Sequence, residues 1–338
     1  MTGTVLVSGG SGYIAGYLIR QLIAEGWTVR TTVRNLAREA EVRRVLAVDD
    51  TKLSFFAADL ENDAGWAEAM TGCSHVAHVA SPFPATAPKH DDELIVPARE
   101  GALRALHAAK AAGVRRFVMT SSTAAIGYGR GGTDKPCTEA DWTDVNGPGV
   151  FAYVKSKTLA ERAAREWVAH EGDGIEFCTI NPSLVLGPVL SADMSTSVEA
   201  VKKLLDGSVP GLPNLSFPTV DVRDIADLHV RALNAPDMAN ERFIGSGPTV
   251  TMADMAAILR ARLGNKARKV PTLRLPDFLV RIAALFDPVM RQITGELSKP
   301  KMMDASHALT KLGWKTRPIE ESVVDTARSL FDLGILKA

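Results

Sequence analysis

The sequence predicts an α/β fold, in which a doubly wound parallel sheet carries helices on both sides and a smaller, mostly helical lobe follows it. The first observation is an alternation over the first half of the chain, where six short apolar or β-branched runs are separated by longer segments of helical periodicity. The second is a change after about residue 185, where Gly and Pro cluster and only weaker strand signals remain, at 215–220 and 241–244.

Length and charge narrow the class of protein. The chain has 338 residues, enough for one large domain or two closely joined ones. Its 39 basic side chains equal its 39 acidic ones, so the formal net charge is zero. Such a chain has no electrostatic reason to bind a polyanion or an anionic membrane. We therefore expect neither nucleic acid nor a membrane as a partner.

Cysteine usage and the start of the chain favour a cytoplasmic protein. Cys73, Cys137 and Cys178 form no CxxC motif and are too few for a disulfide framework, which suits reduced thiols. A strand-like run begins at Thr4 without a basic segment and apolar core, which argues against a secretory signal. The apolar stretch 275–293 carries four charged residues and is typical of an amphipathic helix, not of a membrane span.

The predicted strands indicate where a ligand would bind. We assign 1–185 to a sheet domain and 186–338 mainly to a substrate-binding lobe, with a segment at about 217–235 returning to the sheet. In such a sheet, ligands bind beyond the carboxyl ends of the strands, so residues directly after each strand are candidate site residues. In chain order the predicted strands span 4–8, 28–33, 53–57, 75–79, 115–121 and 175–181.

A glycine-rich turn follows the first predicted strand and opens a predicted helix. Residues 9–15 have the spacing Gly-x-x-Gly-x-x-Ala. Glycines permit a tight turn and let backbone N–H groups approach a pyrophosphate at a helix N-terminus, where the helix dipole favours anions. Because a strand precedes the turn and a helix follows it, we predict a dinucleotide site here. Its predicted cofactor contacts are Gly9, Ser11, Gly12, Tyr13 and Ile14.

The end of the second predicted strand favours NADP(H) over NAD(H). Sites that prefer NAD place an acidic residue about 20 positions past the glycines, where it accepts hydrogen bonds from the ribose 2′-hydroxyl. Here the first acidic residue after the strand is Glu39, whereas Arg30, Arg34 and Arg38 surround the position. A guanidinium pairs bidentately with a phosphate, so we predict a 2′-phosphate site. Arg30 and Arg38 individually could instead be solvated surface arginines.

The third predicted strand leads into Asp59 and Leu60, which we predict to lie at the adenine edge of the cofactor. The Asp59 carboxylate there would accept a hydrogen bond from the exocyclic amine of adenine. An aspartate at such a turn equally suits a helix N-cap. The sequence leaves both roles open.

A candidate catalytic group follows the fifth predicted strand. Ser122 comes directly after that strand, and Tyr153 and Lys157 lie four residues apart, on one face of a predicted helix. A phenol titrates near 10, and a nearby ammonium favours its ionised form and lowers its pKa. Tyr153 would then donate a proton to a carbonyl oxygen that the Ser122 hydroxyl also binds. The order of glycine turn, serine and Tyr-x-x-x-Lys predicts hydride-transfer chemistry.

These residues together resemble the extended short-chain dehydrogenase/reductases of the NAD-dependent epimerase/dehydratase superfamily. The chain is most similar to their dihydroflavonol reductase, cinnamoyl-CoA reductase and yeast methylglyoxal (carbonyl) reductase branch. Segments that carry the resemblance include 9–15, 78–82, 153–161, 181–188 and 220–224. The resemblance implies a Rossmann-type sheet and an oxidoreductase that acts on CH–OH groups with NADP as acceptor. It also implies a catalytic triad of Ser122, Tyr153 and Lys157, a 2′-phosphate contact from Arg34, and further cofactor contacts from Ala80, Ser81, Lys157, Pro182 and Leu184.

Other activities of this fold agree less well with the residues. The sugar-nucleotide dehydratases carry an Asp-Glu pair beside the serine, whereas Thr123 and Ala124 follow Ser122 here. The epimerases usually show Arg and Tyr where this chain has Asn181 and Leu186. A hydroxysteroid-type dehydrogenase would use the same triad and stays open. An NADP-sensing protein without catalysis would lose the tyrosine or the lysine.

The substrate is predicted to be a hydrophobic or aromatic aldehyde or ketone. Apolar and aromatic side chains dominate the loops after the strands, which favours such a compound over a phosphorylated sugar. No histidine spacing indicates a metal site, and we expect a monomer or a homodimer. The predicted substrate contacts are Phe83, Ile126, Tyr128, Ser183, Leu190, Met194 and Phe217.

Overall fold

The computed structural model describes residues 3–82, 88–130, 135–193, 195–286 and 294–337. Within these residues, seven parallel strands form one sheet in the order β3-β2-β1-β4-β5-β6-β10. The order is that of a doubly wound nucleotide-binding sheet, and the predicted fold class is confirmed. Its strands are β1 (Thr4–Val7), β2 (Thr28–Val33), β3 (Leu53–Ala57), β4 (His75–His78), β5 (Arg116–Thr120), β6 (Glu176–Pro182) and β10 (Arg242–Gly245).

The observed strands agree with the six predicted ones to within one residue at each end. β10 corresponds to the weaker signal at 241–244, which the sequence had placed in the lobe. It pairs in parallel with β6, where Arg242 lies opposite Thr179, and it forms the edge of the large sheet. The chain thus returns to the sheet a second time after about residue 235. The division into 1–185 and 186–338 stays a prediction.

Helices cover both faces of the sheet. One face packs against α1 (Tyr13–Ala24) and α7 (Val222–Asn234), and the other against α4 (Asp92–Ala111) and α5 (Ala152–Glu171). Alternate strand residues face opposite sides, so Val118 lies in one core and its neighbour Phe117 in the other. Burial on both faces explains why apolar and β-branched residues in these strands do not alternate strictly with polar ones. The shorter helices α2 (Glu39–Leu46) and α3 (Trp66–Met70) follow β2 and β3.

The C-terminal lobe has its own apolar core. A three-stranded sheet of β7 (Leu184–Leu186), β9 (Ser216–Asp221) and β11 (Thr249–Thr251) joins the lobe to the end of β6. A second pair of strands, β8 (Leu212–Pro213) and β12 (Arg274–Leu275), lies parallel. The lobe helices are α6 (Thr196–Asp206), α8 (Met252–Leu263), α9 (Asp277–Ala283) and α11 (Ile319–Asp332), while α10 (Ser306–Leu312) packs against α7 and β10.

Within the stretch 275–293, which was predicted as an amphipathic helix, the structure forms the shorter helix α9 over Asp277–Ala283. Residues 287–293 lie outside the described ranges. Exposed apolar side chains on and beside α9 include Phe278, Ile282 and Phe286. Across the described ranges, no helix combines the length and the apolar character that a membrane crossing requires.

Phe117 provides a test of the sheet core. Its side chain is fully buried between β5 and the helices on that face. We expect Phe117→Ala to lower the free energy of unfolding by about 3–5 kcal/mol, because the change removes buried apolar contacts and leaves a cavity. Denaturant unfolding monitored by circular dichroism measures this loss. Phe278→Ala removes the same ring at a site that is 60% exposed and should change stability far less; equal losses would contradict the described core.

Candidate active site

The glycine-rich turn connects β1 to the N-terminus of α1. Gly9 has a φ of +73°, a backbone conformation that side chains other than glycine rarely adopt. Its N–H donates to Thr32 Oγ1 at 3.0 Å, and the N–H of Gly10 donates to the Thr32 carbonyl at 2.9 Å. A Cβ on Gly10 would lie only 2.2 Å from Thr31 Oγ1. The turn is therefore held against β2, with the first turn of α1 starting at Gly12.

Tyr13 borders the cleft beside this turn, and its hydroxyl extends to the lobe. Its hydroxyl donates to the Gly187 carbonyl at 2.6 Å, and Tyr17 donates in the same way to Pro188 at 2.8 Å. Burial raises the pKa of Tyr13 well above its ordinary value. The Tyr13 side chain thus links α1 to the start of the lobe, and the cofactor contact predicted for Tyr13 stays a prediction.

The three arginines predicted around the 2′-phosphate position differ in orientation. Arg30 donates to the carbonyls of Glu68 and Ala69 and stacks on Phe56, so it belongs to the packing of α3. Arg34 is exposed and makes no hydrogen bond or ion pair with the described residues. Its guanidinium is available to a ligand at the carboxyl end of β2.

Arg38 lies in a short 3₁₀ helix after β2 and pairs with two carboxylates. Its guanidinium is 3.1 Å from Glu41 and 3.3 Å from Asp193 of the lobe. These side chains border a cleft beside Gly10–Gly12, together with Leu190 and Leu46. Arg38 thus spans the cleft between the sheet and the lobe.

Asp59 follows β3 and forms a local turn. Its Oδ1 accepts from the Glu61 N–H at 3.1 Å, and its carbonyl accepts from the Trp66 indole at 2.8 Å. The carboxylate therefore caps the turn through one oxygen. The adenine contacts proposed for Asp59 and the neighbouring Leu60 stay predictions.

Ser122, Tyr153 and Lys157 meet at the carboxyl end of the sheet. Ser122 follows β5 and accepts the Ala124 N–H at 3.1 Å, while Tyr153 lies in the first turn of α5. The hydroxyls of Tyr153 and Ser122 are hydrogen-bonded to each other. Lys157 Nζ donates to Ser81 Oγ at 2.9 Å and lies 5.9 Å from the centre of the Tyr153 ring. The structure thus assembles the three predicted catalytic residues and adds Ser81 to them.

Burial dominates the electrostatics of these groups. It raises the pKa of Tyr153, and the hydrogen bond with Ser122 opposes that rise. It lowers the pKa of Lys157 to about 8, and the negative charge of Glu161 opposes that fall. The sequence argument expected the Lys157 ammonium to lower the pKa of Tyr153. Instead, the direction is upward, because removal of the phenolate from water outweighs the hydrogen bond from Ser122.

Sequence reasoning missed the buried carboxylate of Glu161, one helical turn beyond Lys157. Its side chain is inaccessible to solvent and binds Arg242 Nε at 2.7 Å, Ser121 Oγ at 2.6 Å and Asn181 Nδ2 at 2.8 Å. Burial would raise the pKa of Glu161, but Arg242 and Arg165 hold it below its ordinary value. The position four residues after Lys157, on the same helix face, is the one signal in the sequence.

The ends of β1 and β4 are connected through Ser8, His78 and Ala80. Ser8 Oγ accepts the Ala80 N–H at 2.9 Å and lies 3.1 Å from His78 Nδ1. The donor in the contact between Ser8 and His78 depends on the tautomer of the His78 ring. Burial, reinforced by the charge of Lys157, lowers the pKa of His78 to about 3. Ser8 thus connects the buried, neutral His78 to Ala80, which lies beside Gly9.

The predicted substrate contacts have different surroundings. Tyr128 stacks edge-on against Phe151, with ring centres 6.2 Å apart, and Phe151 stacks on Tyr153 at 6.4 Å. Lys301 lies 3.3 Å from the centre of the Tyr128 ring, a contact that the sequence did not indicate. Burial raises the pKa of Tyr128 to about 12. Tyr128 is therefore part of an aromatic wall that begins at Tyr153.

The other predicted substrate contacts do not belong to this aromatic wall. Ile126 is fully buried and presents no surface to a ligand. Leu190 lies beside Gly16 of α1 and lines the cleft next to the glycine-rich turn. Ser183 is bound to Gly245, and Phe217 packs against the lobe core. Phe83 and Met194 lie outside the described residues.

Other predicted contacts border the same edge. Pro182 ends β6 and accepts from Thr123 at 3.3 Å, and Leu184 begins β7 two residues later.

In the ranges that the structure describes, no group of three or more His, Cys, Asp and Glu side chains is arranged to hold a metal ion.

Comparison with known proteins identifies the family. A model of the NAD dependent epimerase/dehydratase family matches residues 5–244. The chain belongs to this family, in its extended short-chain dehydrogenase/reductase group.

Among curated proteins, the chain is 33% identical to the cinnamoyl-CoA reductase CAD2 of Medicago truncatula over 333 residues, which cover 96% of this chain and 95% of that protein. It is 34% identical to the dihydroflavonol 4-reductase of Zea mays over 270 residues, or 77% of this chain and 74% of that one. Among solved structures, yeast methylglyoxal/isovaleraldehyde reductase complexed with NADPH superposes with a TM-score of 0.82 at 25% identity, covering 98% of this chain and 100% of the other. These relatives are reductases, and they support an oxidoreductase.

The buried histidine provides a pH-dependent test of this scaffold. Because the folded pKa of His78 lies below that of an unfolded histidine, the unfolded chain binds more protons between about pH 6.5 and 3. The free energy of unfolding should therefore fall as the pH falls through this window. We expect His78→Asn to flatten the slope by up to about 1.4 kcal/mol per pH unit. Urea unfolding between pH 7 and 4 measures it.

His107→Asn, at an exposed position on α4, serves as the control and should leave the slope unchanged. A His78→Asn slope identical to that of the wild type would contradict the description of His78 as a buried neutral group.

Proposed function

We propose that the chain catalyses the NADPH-dependent reduction of an aldehyde or ketone to the alcohol. The observation that carries the proposal is the meeting of Ser122, Tyr153 and Lys157 beside the glycine-rich turn. The family and its reductase members support oxidoreductase chemistry. The carbonyl substrate and the roles of the individual residues are proposals.

The cofactor is NADP(H), and the described residues fit it. The α1 N-terminus begins at Gly12, which leaves the first backbone N–H groups of the helix to bind a pyrophosphate. Arg34 is exposed at the end of β2 and would bind the 2′-phosphate. Ala80 and Ser81 would lie along the cofactor, with Pro182 and Leu184 flanking the nicotinamide. When bound, NADPH supplies the hydride for reduction.

Tyr153 is the proposed general acid. The direction of its pKa keeps the phenol protonated at neutral pH, which is the form that donates to a carbonyl oxygen. Ser122 Oγ accepts a backbone N–H, and its hydroxyl is hydrogen-bonded to Tyr153. A carbonyl oxygen placed between the two hydroxyls would accept the Ser122 proton in place of Tyr153 as negative charge develops there. Lys157 supplies a positive charge near the phenol ring and would reach the nicotinamide ribose.

The aromatic wall favours a hydrophobic substrate. Tyr128 and Phe151 extend the surface that begins at Tyr153 and border the space where the substituents of a carbonyl would lie. Apolar walls with few polar groups are typical of sites for small hydrophobic ligands. We therefore propose an aldehyde or ketone with an apolar or aromatic substituent.

The activity is tested with the purified chain, NADPH and a panel of aromatic aldehydes, aliphatic aldehydes and α-keto esters. We expect loss of NADPH absorbance and formation of the matching alcohol for several hydrophobic carbonyls. A chain that binds NADPH but oxidises it with no carbonyl would overturn the proposal in favour of a non-catalytic NADP-binding protein.

Tyr153→Phe tests the proton donor. Loss of the hydroxyl removes the acid but keeps the ring, so kcat should fall by about 10²–10⁴-fold or more. The Kd for NADPH, measured by fluorescence, should change little. Tyr128→Phe is the matched control: it removes a neighbouring phenol outside the triad and should retain most of the activity. Retained turnover in Tyr153→Phe would refute the assigned role.

Arg34→Ala tests the 2′-phosphate site. Loss of a charge-assisted pair should weaken NADPH binding about ten- to a hundredfold while NADH binding changes little. Arg44→Ala removes the same charge from an exposed position on α2 and should weaken NADPH only slightly. Isothermal titration with both cofactors measures the difference. Equal losses for NADPH and NADH in Arg34→Ala would exclude a specific phosphate contact.

A further inference from the structure

We propose that Glu161 is a positioning residue for carbonyl reduction, whose buried carboxylate fixes the segment that carries Ser122 and supplies the negative charge beside Lys157. The inference rests on the function proposed above and extends it to a residue outside the triad. Glu161 does not reach the reacting atoms, so its effect passes through Ser122 and Lys157.

The first argument is the connection from Glu161 to Ser122. Ser121 Oγ donates to Glu161 Oε2 at 2.6 Å, and Asn181 Nδ2 donates to the same oxygen at 2.8 Å. Asn181 Nδ2 also donates to the Ser122 carbonyl at 3.1 Å. One carboxylate oxygen of Glu161 thus connects Ser121, directly after β5, to Asn181 of β6. The Ser122 backbone is held there, and the Ala124 N–H holds its hydroxyl oxygen.

The second argument is charge. Three cations surround this carboxylate: Arg242 from β10 at 2.7 Å, Arg165 from α5 at 3.2 Å, and Lys157 one helical turn away. Thr179 of β6 also donates to it at 3.1 Å. Glu161 is fully buried, and Lys157 is 92% buried. Water therefore screens little of the attraction between these charges.

The groups that face Lys157 show why this charge matters. Ser81 and neutral His78 lie at the end of β4, and Tyr153 and Glu161 lie on α5. Burial lowers the pKa of Lys157 to about 8, and the one charge that raises it belongs to Glu161. Without this carboxylate, burial would act on Lys157 unopposed, and its pKa would fall towards neutrality.

Glu161→Gln therefore has a specific signature. The amide keeps the shape of the side chain but removes the charge, so the alkaline fall of kcat/KM should move to lower pH by about one unit. At pH 6, where Lys157 is protonated in both proteins, the loss should be much smaller than at pH 8.5. Glu161→Asp keeps the charge and should keep the alkaline limb near that of the wild type.

The experiment measures kcat/KM for NADPH-dependent reduction of one aldehyde between pH 6 and 10 in wild type and both variants. In parallel, the ¹³Cε shift of Lys157 is titrated in protein labelled with ¹³C-lysine and assigned with Lys157→Arg. The titration does not depend on turnover. If the wild type reduces no carbonyl, the proposed function fails, while the titration still decides whether Glu161 controls Lys157.

Glu166→Gln is the matched control, because Glu166 lies on the same helix but is exposed. It should leave both the profile and the titration unchanged. A Glu161→Gln protein whose Lys157 titrates as in the wild type, or which loses activity equally at every pH, would overturn the charge argument.

Two further variants complete the experiment. One is used if Glu161→Gln does not fold, and the other tests the positioning of Ser122. If Glu161→Gln does not fold because Arg242 is left unpaired, the double variant Glu161→Gln/Arg242→Gln removes both charges of that pair and still deprives Lys157 of the carboxylate. Ser121→Ala keeps the charge but removes one tie to the Ser122 segment. It should lower kcat roughly tenfold without moving the alkaline limb; an unchanged kcat would overturn the positioning role.

Discussion

The buried ion pair between Glu161 and Arg242 is the interaction on which the geometry of the carboxyl edge depends. Arg242 is the first residue of β10, and Glu161 lies in the middle of α5, 81 positions earlier. Arg242 also donates to the carbonyls of Glu139 and Asp141 and lies 3.8 Å above the Trp142 ring. Breaking a buried pair of this kind costs about 3–5 kcal/mol, because it leaves a charge without a partner. The edge strand, helix α5 and the loop before it are therefore fixed together.

A second set of contacts couples the glycine-rich turn to the lobe. Tyr13 and Tyr17 extend from α1 to the carbonyls of Gly187 and Pro188, and Thr326 of α11 accepts the Gly187 N–H at 2.7 Å. The helix that would bind the pyrophosphate thus contacts the residues through which the chain enters the lobe. Together with Arg38 and Asp193, these contacts place the lobe over the cleft.

The sheet and the triad follow from local patterns in the sequence. Apolar runs of strand length and the order of turn, serine and Tyr-x-x-x-Lys are local patterns, so the strands were predicted correctly. The structure also brings Ser122, Tyr153 and Lys157 together, and their catalytic roles stay predictions. The Glu161–Arg242 pair was not predicted, because a mid-helix glutamate has the pattern of a solvated residue and its partner comes from a strand whose signal was weak. Arg30 shows the same limit, since its neighbours in the sequence did not reveal that it packs on Phe56.

Ile126 and Leu190 were assigned to the substrate wall because they follow strands, yet one is buried and the other lies beside α1. Side-chain direction after a strand depends on the loop that follows, and a single sequence does not specify it. For Ser81, the structure adds a contact that the sequence did not indicate. The family resemblance implied a position along the cofactor, and the Ser81 hydroxyl also accepts a hydrogen bond from Lys157.

Burial at this site favours the neutral form of both members of the Tyr153–Lys157 pair. It raises the pKa of the phenol and lowers that of the ammonium, and each shift meets one opposing group, Ser122 for the tyrosine and Glu161 for the lysine. At neutral pH the result is a protonated phenol beside a largely protonated lysine. This combination keeps the proton where a carbonyl oxygen would need it and keeps a positive charge where the oxygen would become negative. The carboxylate behind the lysine thus maintains a charged group in a site that burial alone would make neutral.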